Sequence, residues 1–277
     1  MEILEDVWLA EPATLRFSRC NMFIGANGVG KTHLISLMTG FTAPSAIMER
    51  AGRSSSPVHA AITWYDPHPH RAEFRAEGEN LRFLADGSEV PFVPQPYRVV
   101  SVPTWSSTIS REVTWLAQKL GLDVWTTKKL ALSVPDIVGG SVKHVSFVGK
   151  GSAARIKVEY VHGGQVITDE GGRGHRLSPI VGMEILIALA ETHALATPTL
   201  LLVDGSLSSL DAEAFDHLTT LLSSPARGFQ TVATLAVSAR PLNPEWTVTR
   251  FVREPNMRRR NGQQATARLV QDGVSAL

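Results

Sequence analysis

The chain has 277 residues, 43% hydrophobic and 7% aromatic, with a formal net charge of +1 and one cysteine. This length and apolar content suit one large α/β domain and exclude disorder as the default state. The near-neutral balance excludes a whole-protein basic field that would coat nucleic acid, and Cys20 alone excludes an intrachain disulfide or a cysteine-built zinc site.

In chain order, Ile3 to Leu9, Thr14 to Phe17 and Asn21 to Ile24 read as strands. Glycines follow the last of these. Lys31 to Thr39 then carries Leu34, Ile35, Leu37 and Met38 at amphipathic-helix spacing, and Gly40 stops it. Ala43 to Ser56, with Pro, Gly and a serine run, reads as a surface loop. The stretch 57–95 is expected to form an antiparallel β lobe. Within it Ala61 to Tyr65, Arg71 to Arg75 and Leu81 to Leu84 are strand-like, and Asp66-Pro67 and Asp86-Gly87 turn the chain.

Tyr97 to Val102 reads as a buried strand ended by Pro103. The stretch 104–136 reads as a small helical lobe, with Trp115, Leu116 and Leu120 on one face. Gly139-Gly140 opens a second β-rich stretch, in which Ala154 to Val161 alternates and Gly163-Gly164 turns. Ser178 to Ala196 is a long helix, with Ser178 able to cap it and Pro179 suited to its first position. Thr199 to Val203 is an apolar strand ending in Asp204. Ala212 to Leu222 reads as a helix, and Thr231 to Ala236 and Thr247 to Val252 as strands. There is no internal repeat and no long heptad run, so 1–277 is expected to be a single domain. Met1 to Ala10 has three acidic residues and no apolar run, unlike a secretory leader. No stretch approaches the roughly 18 apolar residues of a membrane helix. A cytoplasmic protein with no membrane contact is expected.

Gly25-Ala26-Asn27-Gly28-Val29-Gly30-Lys31-Thr32 matches the phosphate-loop pattern G-x-x-x-x-G-K-[ST] in full, between an apolar strand and a helix. Glycines let backbone N–H groups turn inward and approach phosphate oxygens closely. The helix N-terminus adds roughly half a positive charge. Lys31 can reach the β and γ phosphates, and the Thr32 hydroxyl can ligate Mg²⁺. Asp204, at the end of its apolar strand, stands where ligands bind in open α/β sheets and would complete the Mg²⁺ shell beside Thr32. The ligand expected is therefore ATP with Mg²⁺.

Asp204-Gly205-Ser206-Leu207-Ser208-Ser209-Leu210-Asp211 resembles the Walker B and D-loop segment of ABC-type ATPases. The phosphate loop resembles that of the RecF, OLD and SMC-head branch of the same superfamily. Leu177-Ser178-Pro179-Ile180-Val181-Gly182-Met183 stands where that branch has its signature helix. The resemblance implies a P-loop NTPase with a mostly parallel core sheet, an antiparallel β lobe and a small helical lobe. It further implies a homodimer that sandwiches two nucleotides, with Ser178 on the γ-phosphate across the interface and Asp211 at the seam. For Ser178 the plain alternative is N-capping.

Three departures bear on hydrolysis. The glutamate that follows the Walker B aspartate in this family is replaced by Gly205, and loss of such a group commonly costs about 10²- to 10⁴-fold in rate. Gly182 stands four residues past Ser178, not two, and Val237-Ser238-Ala239-Arg240 lacks the family's switch histidine. Asp211 and Glu213 are the nearby acids, and Gln95, between Pro94 and Pro96, is the candidate for the family's metal-side glutamine. Two functional readings follow: an ATP-dependent dimerisation switch, in an antiphage or DNA-maintenance complex with a separate effector protein, or a regulatory subunit that binds nucleotide without turnover. A small-molecule kinase or GTPase is a third, and the guanine-reading Asn-Lys-x-Asp motif is absent.

Other features have competing readings. His68 and His70 flank Pro69, either as a metal-binding pair or as a proline-rich turn with exposed imidazoles, the reading favoured here. Arg173, His175 and Arg176 precede the signature as either phosphate contacts or a solvated loop. Arg250, Arg253 and Arg258 to Arg260 form a basic stretch able to meet a nucleic-acid backbone, diluted by Glu254 and without aromatic interleaving. Trp8 or Phe17 stacks on adenine or belongs to the core.

Overall fold

The computed structural model describes residues 1–6, 9, 11–45, 47, 57–66, 68–78, 80–102, 110–149, 151, 154–169, 177–236, 244–253 and 267–272. In chain order the elements are β1 (Glu2–Glu5), β2 (Ala13–Thr14), β3 (Cys20–Ile24), α1 (Lys31–Gly40), β4 (Val58–Asp66), β5 (His68–Glu77), β6 (Asn80–Ala85), β7 (Ser88–Val90) and β8 (Arg98–Val102). There follow α2 (Val113–Leu120), α3 (Val124–Val138), β9 (Val142–Val148), β10 (Arg155–His162), β11 (Gln165–Asp169), α4 (Pro179–Ala194) and β12 (Thr199–Val203). The last are α5 (Ala212–Ser223), β13 (Gln230–Leu235), β14 (Thr247–Val252) and β15 (Arg268–Gln271). The chain divides into two compact units, one of Met1–Val99 with Gln230–Leu277, the other of Val100–Phe229.

In the first unit β3 runs parallel to β13 on one side and to β14 on the other, with Phe23 opposite Thr234 and Thr249. Cys20, Asn21, Met22 and Phe23 are all buried, as expected for a strand covered on both faces. The one polar member is satisfied: Asn21 Nδ2 donates to the carbonyls of Ser18 (2.8 Å) and Thr231 (3.1 Å). β15 pairs antiparallel with β14 and was not foreseen from the sequence.

The second sheet of this unit is antiparallel, in the order β2-β1-β4-β5-β6-β7. Ala72, Phe74 and Ala76 alternate inward along β5, and Phe74 stacks tilted on Phe41 at the end of α1 (4.9 Å between rings). The Asp86-Gly87 turn has φ of 46° and 83°, the paired positive values of a type I′ hairpin. The stretch read as a proline-rich turn at His68 and His70 is instead the start of β5. Pro69 sits opposite Tyr65, and the His70 ring stacks on Trp64 at 5.5 Å, so hairpin pairing overrides the local proline signal.

In the second unit Asp123 caps α3 by accepting from the N–H groups of Trp125 (2.8 Å) and Thr126 (2.9 Å). That helix runs through Pro135 to Val138. β9, β10 and β11 form an antiparallel sheet in the order β11-β10-β9. The Gly163-Gly164 turn, φ of 60° and 70°, brings the chain straight back as β11, which the sequence pattern did not reveal. α4 is buried on every side from Ile180 to Ala190, and β12 is buried throughout. No described helix is long and apolar enough to cross a membrane.

Candidate nucleotide-binding site

β3 delivers the chain into the glycine loop, and packing leaves no choice of residue at its first position. A Cβ at Gly25 would stand 2.8 Å from Phe251 Cβ and 3.0 Å from the Phe251 carbonyl oxygen. Gly25 N–H donates to the Leu235 carbonyl (3.3 Å), so β13 and β14 together fix where the loop begins. Gly28 and Gly30 have φ of 78° and 100°, which curl the loop around its own amides. Val29 is buried and anchors the turn, while Ala26, Asn27, Gly28 and Thr32 are exposed.

Gly30 is the N-cap of α1 and, having no side chain, supplies no cap bond to the first turn. Lys31 lies beneath them, buried, with Nζ donating to the carbonyls of Gly25 (2.6 Å) and Ala26 (2.8 Å). An ammonium group is thereby held inside the ring of the loop. An exposed loop, a helix N-terminus without an N-cap side chain and a held cation are the features by which proteins receive anions.

Asp204 follows the fully buried β12 and is itself buried. Gly205, the next residue, has φ of 71° and begins a 3-10 turn over Ser206–Ser209. That left-handed backbone suits glycine and strains any residue carrying a Cβ. The nearby acids have other partners. Asp211 caps α5 by accepting from Ala214 N–H (2.8 Å) and lies 3.3 Å from His162 Nε2. Glu213 accepts from Gly163 N–H (2.7 Å) in the β10–β11 turn.

Ser178 is the N-cap residue of α4 by backbone position, followed by Pro179, but its hydroxyl makes no capping bond. The plain N-capping reading of that side chain is therefore not what the structure shows. Gln95 is exposed, with φ of 46°, and its N–H donates to the Phe41 carbonyl (3.2 Å). A non-glycine residue in that region is strained. Phe17 packs on Phe23 at 6.2 Å, on the core side of β3. Arg250, part of the basic stretch, pairs with Asp272 (2.8 Å). Trp8, Arg173, His175, Arg176, Val237 to Arg240 and Arg258 to Arg260 lie outside the described residues.

No protein-family model matches the chain, and no curated protein sequence matches it. Solved structures match in fold. An SMC head bound to the C-winged-helix domain of ScpA aligns over 98% of this chain and 95% of its own, at TM-score 0.57 and 13% identity. The SMC head domain from Thermotoga maritima aligns over 99% and 98%, at TM-score 0.56 and 12% identity. An Smc head with an extended coiled coil, bound to the C-terminal domain of ScpA derived from Pyrococcus furiosus, aligns over 98% and 94%, at TM-score 0.58 and 10% identity. The fold is that of an SMC head domain.

Two features of this SMC-type head were not foreseen. In the first unit His33 Nε2 donates to Asp6 Oδ2 at 2.5 Å, with both side chains buried, one residue beyond Thr32. In the second, the carboxylate of Glu184 sits at zero exposure in the middle of α4. It accepts from Ser141 N–H (2.6 Å), Ser141 Oγ (2.5 Å) and Val142 N–H (3.0 Å), with His217 Nε2 at 3.3 Å. Burial pushes its pKa up, but the hydrogen bonds from His217, Ser141 and Val142 outweigh that and hold it below the ordinary value. A Cβ at Gly140 would meet this carboxylate at 2.5 Å, which accounts for the second glycine of Gly139-Gly140. A glutamate within the otherwise apolar run Ile180 to Ala190 was the available signal.

Proposed function

We propose that this chain binds ATP with Mg²⁺ in the Gly25–Thr32 loop and closes into a homodimer when it does so. The observation that carries the reading is the loop itself: exposed residues Ala26 to Gly28, a glycine N-cap at α1 and the Lys31 ammonium held at 2.6 Å from Gly25 O. The donor set for the cation fits magnesium, which takes hard oxygen ligands and keeps waters and phosphate oxygens in its shell. Thr32 offers an exposed hydroxyl and Asp204 a carboxylate. No group of three or more His, Cys, Asp or Glu side chains suited to a metal occurs among the described residues, so no protein-only metal cage competes. Ser178, with its hydroxyl outside the helix cap, is the residue assigned to the γ-phosphate of the opposite protomer.

The dimer acts as a switch on a separate effector protein, within a bacterial antiphage or DNA-maintenance complex. The similarity to SMC heads that were solved with ScpA domains supports a separate partner chain. A second reading, binding with little turnover, is favoured by one observation: Gly205 adopts φ of 71° where the family places its glutamate.

The test is sedimentation of the purified chain with and without ATP and Mg²⁺, beside phosphate release. The switch reading expects an ATP-dependent dimer, and release that vanishes in Lys31→Ala. Removing that cation is expected to weaken ATP binding at least about 30-fold, the usual cost of truncating a charge-assisted contact. A dimer without release selects the second reading. No ATP affinity at all overturns both.

A further inference from the structure

The phosphate loop in this chain is followed by a polar contact that its sequence pattern does not call for. His33 is the third residue of α1, on the buried face of that helix with Leu34, Leu37 and Met38. Its Nε2 donates at 2.5 Å to Oδ2 of Asp6, whose side chain is fully buried just past the end of β1. Burying a carboxylate beside a receptor for a polyanion works against anion binding unless something else is gained.

The gain lies in how α1 is held. Gly30 gives no side-chain cap, and there is no acidic residue in the first turn. An ordinary helix fixes its first turn by bonding a side-chain oxygen to the amides of its second or third residue. Such a cap here would occupy the amides that must face phosphate. We infer that Asp6 is a positioning residue of the nucleotide site, pinning the first turn of α1 through the His33 side chain where Gly30 supplies no side-chain cap. This rests on the proposal that the loop binds a nucleoside triphosphate.

Asp6 also lines a cavity of about 190 Å³ with Ile3, Leu4, Glu5, Leu9 and Pro12. The test must therefore separate the phosphate end from any base-side effect. Binding of MgATP and of inorganic tripolyphosphate, which has no base, is measured by calorimetry for the wild-type chain, Asp6→Ala and Asp6→Asn. Asp6→Ala removes the acceptor that His33 Nε2 finds in Oδ2, whereas Asp6→Asn keeps an acceptor at the same place and removes the carboxylate.

Asp6→Ala is expected to weaken both ligands about tenfold or more, while Asp6→Asn stays within about threefold of wild type or binds tighter. If Asp6→Ala is too unstable to assay, His33→Asn, too short to reach Oδ2 from the same backbone, carries the comparison. Wild-type affinity for tripolyphosphate in a folded Asp6→Ala, or in a folded His33→Asn, overturns the inference. So does an equal loss in Asp6→Ala and Asp6→Asn, since the hydrogen bond is then not what matters. Failure of the wild-type chain to bind either ligand overturns the nucleotide reading itself.

Discussion

Gly25 and Phe251 are in direct contact: the hydrogen of the glycine faces the β-carbon of the phenylalanine, and a methyl group in its place would come within 2.8 Å. Phe251 is held in turn by Phe23, 5.6 Å between ring centres. The first glycine of the phosphate loop therefore answers to the packing of β14 as well as to phosphate. Gly25→Ala is expected to lower stability by about 1–3 kcal/mol, the usual cost of forcing a methyl into a packed core. ATP affinity should fall with it. Thermal unfolding and an ATP titration on the same sample check both, and unchanged affinity would show that the loop tolerates the shift.

Placing a glutamate at position 205, as in the ABC-type segment that the sequence resembles, should fail. At φ of 71° a side chain costs roughly 1–2 kcal/mol. Gly205→Glu is thus expected to destabilise the chain and leave phosphate release at or below the wild-type rate. Neither Asp211 nor Glu213 is poised to substitute, since their carboxylates already serve Ala214 and Gly163 amides. A tenfold rise in release in Gly205→Glu would mean that the backbone relaxes, and the constraint argued here would be lost.

Glu184 should make stability depend on acidity. Its folded-state pKa is below the ordinary 4.5, so its contribution is fully present above that value. It is lost as the pH falls through the lower folded-state value. Glu184→Gln turns an acceptor into an amide donor facing the N–H groups of Ser141 or Val142, at a cost of about 1–3 kcal/mol near neutral pH. The gap between wild type and variant should narrow as unfolding is followed from about pH 6 to about pH 3. A gap that stays constant over that range would indicate that the carboxylate titrates alike in the folded and the unfolded chain.

Much of the site could be read in one dimension because it is local. The loop is eight consecutive residues, and its flanking strand and helix are apolar runs with clear periods. Gly163-Gly164 and Asp86-Gly87 likewise name their turns through the positive φ they must adopt. The misses come from strand pairing. β11 and β15 have ordinary composition, and they become strands only because a neighbour offers them backbone partners. His68 and Pro69 look like a turn until pairing with Asp66 and Tyr65 draws them into a hairpin.

By itself the amino-acid order determined the phosphate loop, the α/β alternation and the substitution of Gly205 for the expected acid, since each depends on residue type at adjacent positions. Only the folded chain decided what those residues are held by. Asp6 meets His33 across 27 positions and Glu184 meets Ser141 across 43. Burial makes such polar contacts costly to leave unmade, but nothing in the spacing of the chain announces which groups will satisfy one another.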